Sequence, residues 1–213
     1  MGPVNLELIA TQATNWSLAT LAEVKKAKRI VQSLEDDLLT QWIDVAIEHL
    51  EASYEIAIVP REWALYLSEF SCAVTLPKPP LRYDPAATAP ANLPESAVTI
   101  SYTSNTGLPV TMPRSDFYAV KENMKWRLRP AVDWPSTAVS PRAVKIAFKV
   151  GYESGDKVPL AIRQSVILLT AHFYQHRDPT FEEPKISMID RETAFGINRL
   201  MKPFAIVPAY GGV

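Results

Sequence analysis

Hydrophobic positions change their spacing twice along the chain, and the two changes divide it into three stretches. In the first stretch Leu21, Val24, Ala27 and Val31 form one apolar stripe at helical spacing, with Lys25, Lys26, Lys28 and Arg29 on the opposite face. Thr20 followed by Glu23 has the capping-box pattern, in which the hydroxyl takes a free helix-start amide and the carboxylate reaches back. A second helix is predicted from Ser33, with Asp36 three residues on. It carries Leu39, Trp42, Ile43, Ala46, Ile47, Leu50 and Tyr54 on a helical repeat. Two adjacent amphipathic helices with a short joint favour an antiparallel pair, each with an apolar face to be covered.

Near Val59-Pro60 the period drops to two. Trp63, Leu65 and Leu67 alternate with Glu62, Ala64, Tyr66 and Ser68, a strand pattern. From Leu76-Pro77-Lys78-Pro79-Pro80 to about Pro94 the prolines prevent a regular ladder, and the segment reads as an extended loop. Val98, Ile100 and Tyr102 alternate with Thr99, Ser101 and Thr103, and Asn105-Thr106-Gly107 signals a turn. Phe117 to Val120 and Lys125 to Leu128 are shorter strand candidates. Val144, Ile146, Phe148 and Val150 alternate cleanly with Ala143, Lys145, Ala147 and Lys149.

Helical spacing returns after the turn Gly151-Tyr152-Glu153-Ser154-Gly155-Asp156. Pro159 sits where a first helical turn tolerates it. From Ala161 to Arg177, Ile162, Val166, Leu169 and Phe173 mark one face, and Ile167, Leu168, Ala171 and Tyr174 widen it to most of the circumference. A helix apolar nearly all round is buried on several sides, as a central bundle helix or at a subunit interface. Asp178-Pro179 ends it. A short helix is predicted from about Arg191 to Met201, stopped by Pro203. The predicted fold class is α+β: a small antiparallel helical bundle, built from an N-terminal helix pair and C-terminal helices, with an inserted β-rich unit. The expected organisation is one domain over 1–213, with a helical core from 15–58 and 153–204, a β-rich insertion at 59–152 and a tail at 205–213.

Composition narrows the function classes. With 22 Lys+Arg against 23 Asp+Glu the formal net charge is -1, which lacks the basic excess of a typical nucleic-acid binder. Near-zero charge weakens repulsion between copies and suits an assembly protein. The lone cysteine, Cys72, excludes an intrachain disulfide and a multi-cysteine zinc site. It is expected to be a buried structural thiol. Seven glycines and 18 prolines point to stiff connections. Neither a signal peptide nor a membrane span is expected, because the first residues lack a basic region before an apolar run and the longest apolar run is short.

Candidate chemistry is sparse. His172 and His176, four apart on a helix, could share a metal, with Asp178 or Glu182 as a third ligand across a proline break. The helix lacks the glutamate that the zinc-protease motif requires, and a packed helix bordered by two histidines explains the pair as well. Lys25, Lys26, Lys28 and Arg29 could touch phosphates, or simply form a solvated helix face. Glu35, Asp36 and Asp37 lack calcium-loop spacing and suit a helix N-terminus. Trp42, Trp63, Trp126 and Trp134 are expected in core packing. No phosphate loop and no nucleophile elbow are present.

One stretch carries a family resemblance. Val158-Pro159-Leu160-Ala161-Ile162-Arg163-Gln164-Ser165-Val166-Ile167-Leu168-Leu169-Thr170-Ala171-His172-Phe173-Tyr174, with Arg177 after it, resembles the signature helix of the head–tail connector (adaptor) family of long-tailed phages and gene-transfer particles. Leu21-Ala22-Glu23-Val24-Lys25 and Glu35-Asp36-Asp37-Leu38-Leu39 are similar to its N-terminal helical pair. Leu76-Pro77-Lys78-Pro79-Pro80-Leu81 resembles its proline knot. Arg127-Leu128-Arg129-Pro130, Trp134-Pro135 and Phe148-Lys149-Val150-Gly151-Tyr152 resemble the pieces up to the last strand. Gly196-Ile197-Asn198-Arg199-Leu200-Met201-Lys202-Pro203-Phe204 resembles its closing motif. The likeness runs from about residue 20 to 204. Ser53-Tyr54-Glu55 departs from a Tyr-Thr-Gly-like helix end, the Pro/Ala segment 82–96 is irregular, and the tail 205–213 is an extension.

The resemblance implies a structural protein, not an enzyme, without a cofactor. It implies a ring of copies, a dodecamer in the particle, sitting under the portal protein at the virion neck and assembled in the host cytoplasm. Such a ring extends the channel for double-stranded DNA and offers a platform to a stopper or tail-terminator protein. No membrane is implied. On this reading Pro203, Phe204, Ile206, Val207 and Tyr210 are expected to dock onto the portal, and Lys25, Lys26, Lys28 and Arg29 to face the channel. The competing readings are another neck or tail-completion component, a metal-binding enzyme using His172 and His176, and a plain DNA-binding protein.

Overall fold

A computed structural model describes residues 5–11, 18, 21–82, 97–122, 125–175 and 191–205. The fold is α+β, with N- and C-terminal helices flanking a central antiparallel β-rich region in chain order. The chain forms two compact units, Met1–Thr14 with Ala57–Glu153 and Asn15–Ile56 with Ser154–Val213.

The first unit is built on the segment with the cleanest alternation. Among its strands are β1 (Asn5–Thr11), β2 (Arg61–Leu67), β3 (Val74–Leu76), β4 (Val98–Thr103), β5 (Pro109–Thr111), β6 (Phe117–Glu122), β7 (Lys125–Pro130) and β8 (Val144–Val150). They form a five-stranded sheet in the order β1-β2-β8-β4-β5 and a three-stranded sheet in the order β3-β7-β6, antiparallel throughout. In β8, Val144, Ile146, Phe148 and Val150 are buried, as their alternation predicts. Ile146 lies opposite Leu65 on one side and Ile100 on the other, and all three are at most 1% exposed. Phe117, Ala119, Trp126 and Leu128 of the smaller sheet enter the same core. Trp63 and Trp134 pack partly buried against it, with Trp134 stacked on Phe70 at 4.5 Å.

Three strands go beyond the sequence expectation. The ladder of β1 is interrupted by a register shift between Leu8 and Ala10, while β3 and β5 are three residues each. The proline-rich segment is less open than an extended loop. Lys78 takes a left-handed conformation, the Pro79–Pro80 bond is cis, and Leu81 bridges to Val150. The Pro79 carbonyl accepts from the Ala57 amide at 2.7 Å, and the Pro80 carbonyl accepts from the Gly151 amide at 2.9 Å. Cys72 is exposed, not buried, because it precedes the short β3 in a bend outside the core.

The second unit contains α1 (Leu21–Lys28), α2 (Asp36–Tyr54), α3 (Leu160–Gln175) and α4 (Arg191–Met201). The α3 helix packs against the other three, so its wide apolar surface is that of a central helix. Two boundaries differ from the periodicity. α1 stops at Lys28, where Arg29 turns left-handed with φ 55°. The Ile30 amide donates to the Lys25 carbonyl (2.9 Å) and the Arg29 amide to that of Lys26 (3.3 Å), a Schellman closure. Val31 therefore leaves the stripe and is 95% exposed, and Ala27 is exposed as well. α2 starts at Asp36 and not at Ser33, and no side chain caps it. Thr20, half of the predicted capping box, lies outside the described residues. No described helix is long and apolar enough to cross a membrane.

Gly151 has φ +90°, and a Cβ there would stand 2.3 Å from the Val59 carbonyl oxygen. Gly107 also has positive φ, at +81°, but has open space around it. Gly151→Ala should therefore lower the melting temperature far more than Gly107→Ala, whose penalty is backbone strain alone, about 1–3 kcal/mol. Equal shifts in thermal denaturation would show that the Val59 backbone moves aside freely.

Candidate functional site

Several polar residues of the α3 stretch hold the helical unit together. The Arg163 Nε donates to the Leu18 carbonyl at 2.8 Å, and its guanidinium lies 3.7 Å from Glu23 and 4.0 Å from Asp156. Ser165, fully buried, donates back to the Ala161 carbonyl at 2.8 Å. Tyr174 donates to Glu35 at 2.6 Å, which takes the acid at the start of α2 away from a capping role. Phe173 packs against Trp42, with ring centroids 5.4 Å apart.

His172 is 6% exposed and lies edge-on to Phe173. His176, Asp178 and Glu182, the other members of the alternative metal set, fall outside the described residues. Among the described residues no group of three or more His, Cys, Asp or Glu could hold a metal ion. Burial pushes the Tyr152 phenol up to about 12, so it stays protonated and neutral near pH 7 and has no base to offer.

The closing motif has a buried and an exposed side. Ile197 and Met201 are buried, and Asn198 Oδ1 accepts from the Tyr54 hydroxyl at 2.5 Å, tying α4 to α2. On the outside, Phe195 is 62% exposed, with the Arg199 guanidinium 5.2 Å above its ring. Pro203 is exposed and Phe204 half-buried directly after α4, where the Phe204 amide donates to the Met201 carbonyl. Ile206, Val207 and Tyr210 lie outside the described residues. Phe195 is the residue that sequence reasoning missed. Its signal was its place off the Ile197–Met201 stripe, one helical turn before Arg199.

The basic cluster of α1 does not form one free face. Lys25 makes a 2.7 Å ion pair with Asp36, joining α1 to the start of α2. The Lys28 ammonium donates to Gln175 Oε1 at 3.0 Å. Lys26 and Arg29 are exposed.

No protein-family model matches the sequence, and neither does any curated protein sequence. Solved structures do match, over nearly the whole chain. A chain of the neck of the empty gene transfer agent (GTA) particle, computed with C6 symmetry, superposes with a TM-score of 0.67 at 20% identity, covering 98% of both chains. The chain shares its fold with a component of a GTA neck. A chain of the native GTA virion gives a TM-score of 0.66 at 20% identity, covering 97% of this chain and 98% of that one. A chain of the native GTA neck, computed with C12 symmetry, gives 0.65 at 20% identity with 98% of each chain covered. The likeness includes the β-rich region as well as the helices, since only both together account for this coverage.

If Arg163 is a fastener, Arg163→Met should destabilise the helical unit by about 1.5–3 kcal/mol, the range for a hydrogen bond to a charged group. Chemical denaturation followed by far-UV circular dichroism measures this. An unchanged midpoint would show that the Leu18 carbonyl contact contributes nothing net.

Proposed function

We propose that this chain is a structural subunit of the neck of a tailed phage or gene-transfer particle, and within the neck the head–tail connector (adaptor). In this role copies form a ring of twelve beneath the portal protein, extend the DNA channel and present a platform to a stopper or tail-terminator protein. The protein works by binding, with no reaction to catalyse. The observation that carries the reading is the full-length likeness to a chain of a GTA neck, end to end in both proteins. The connector-like stretches at α3 and at Gly196 to Phe204 support the adaptor position within the neck. A ring needs heterologous contacts between copies, and a near-neutral chain meets little repulsion in making them.

The portal-docking surface in this proposal is the end of α4 with the segment after it. Pro203 and Phe204 begin it, Ile206, Val207 and Tyr210 continue it in sequence, and exposed Phe195 with Arg199 belongs to the same helix. Aromatic and arginine side chains are the usual anchors of protein interfaces. Lys26 and Arg29 are what remains of the proposed channel-facing cluster on α1, since Lys25 and Lys28 are engaged within the unit.

Native mass spectrometry of the chain mixed with its cognate portal complex tests the role. One copy bound per portal subunit is the expected result. No binding to a well-formed portal would move the protein to another neck or tail-completion position. A chain truncated after Lys202 should keep its circular dichroism spectrum and lose portal binding. Unchanged binding would remove the C-terminal segment from the interface.

A further inference from the structure

The three-stranded sheet β3-β7-β6 has two unlike faces. Phe117, Ala119, Trp126 and Leu128 point into the core. The other face carries a row of cations. Lys125, Arg127 and Arg129 occupy alternate positions of β7, opposite in direction to buried Trp126 and Leu128. Alternate strand positions are about 6.8 Å apart, so the row spans about 14 Å, the axial length of roughly four base pairs. The side chains of Arg127 and Arg129 are 43% and 44% exposed. Across the ladder, Tyr118 stands opposite Arg129 and is 40% exposed, and Thr75 of β3 stands opposite Arg127.

Glu122 is the one acid among the described residues on this face. Its carboxylate lies 3.0 Å from Arg127 and 3.7 Å from Arg129, so it holds the two guanidinium groups side by side. Each guanidinium has five N–H donors, and one shared carboxylate leaves most of them open to a second anion. The stretch from Arg114 to Pro130 contains five Lys/Arg against two Asp/Glu, in a chain whose formal net charge is -1. On the face itself three of these cations, Lys125, Arg127 and Arg129, stand against Glu122.

We infer that this face binds the phosphate backbone of double-stranded DNA, without regard to base sequence. The choice of polyanion rests on the neck reading above; the charge row itself does not. Regular cation spacing along a strand fits a regular run of phosphates, and contacts to phosphate carry no base sequence.

Fluorescence polarisation with short labelled duplexes tests this, at a series of salt concentrations. Two unrelated sequences should bind equally, with log K falling linearly against log salt. The double variant Arg127→Gln/Arg129→Gln should bind roughly tenfold more weakly at low salt, with a slope smaller by about 1.8, at 0.9 per lost phosphate contact. Arg127→Lys/Arg129→Lys should keep most of the slope, and matching melting temperatures separate lost charge from lost fold. Lys157→Gln, which removes an exposed charge outside both proposed DNA-facing sets, should leave binding unchanged. The inference fails if the wild type does not bind at low salt, if the glutamine variant keeps the full slope, or if the Lys157 variant loses as much binding as the glutamine variant. Tighter binding to polyglutamate than to DNA would overturn it in favour of an acidic protein surface. The glutamine variant should still bind the portal complex. No portal binding by the wild type, with DNA binding intact, would sink the adaptor position alone.

Discussion

The β-rich unit depends on one close approach of backbone to backbone. Three segments meet at residues 57–60, 79–82 and 149–152. Ala57 donates to the Pro79 carbonyl, Gly151 to that of Pro80, Arg82 to that of Lys149 and Tyr152 to that of Ile58. No side chain fits at the centre of this knot, since the space a Cβ would take at Gly151 is occupied by the Val59 carbonyl. The knot closes the insertion where the chain enters and leaves it. It pins the C-terminal end of β8, the strand that pairs with β2 on one side and β4 on the other. The prolines matter here for what they accept: each has a carbonyl, and two carbonyls in a row meet two amides from different parts of the chain.

Much of this fold is legible in the sequence, and the illegible parts have physical reasons. The alternation of Val144 to Val150 is visible because an inner strand with one buried face must alternate. Helix α3 is visible as central because its apolar surface exceeds one stripe. β1, β3 and β5 are hidden, because a broken register or a three-residue ladder leaves too few positions for a period to show. The end of α1 is hidden because the left-handed position holds Arg29, where glycine would have announced it. The Ser33 start fails for a related reason. After that reversal the chain exposes Val31 and Leu34, and the helix resumes only at Asp36.

The candidate surfaces follow the same logic. A candidate docking segment is legible when apolar residues lack a periodic partner, which singles out Pro203 and Phe204 for the proposal but passes over exposed Phe195 inside a helix. The α1 basic cluster is legible as charge, yet the fold draws Lys25 to Asp36 and Lys28 to Gln175, ties between residues 11 and 147 positions apart that no local pattern reports. The row on β7 escapes notice for the opposite reason. Polar residues at every second position look like any solvated strand face. Only the register with β6 shows that a single carboxylate faces three cations.

Net charge is therefore a poor guide to what this chain can touch. Charges separated by more than a Debye length, about 8 Å at physiological ionic strength, are screened from one another. A row of cations about 14 Å long acts on what lies against it, and the balancing acids elsewhere on the chain do not cancel it there. The same separation lets a near-neutral subunit serve two ends. In the proposed ring, copies would sit side by side without strong mutual repulsion, while the β7 face of each would hold a polyanion loosely. Loose holding suits a protein whose proposed partner must slide past it. Contacts to phosphate alone fix no register, so each step along the duplex exchanges one set of equivalent contacts for the next.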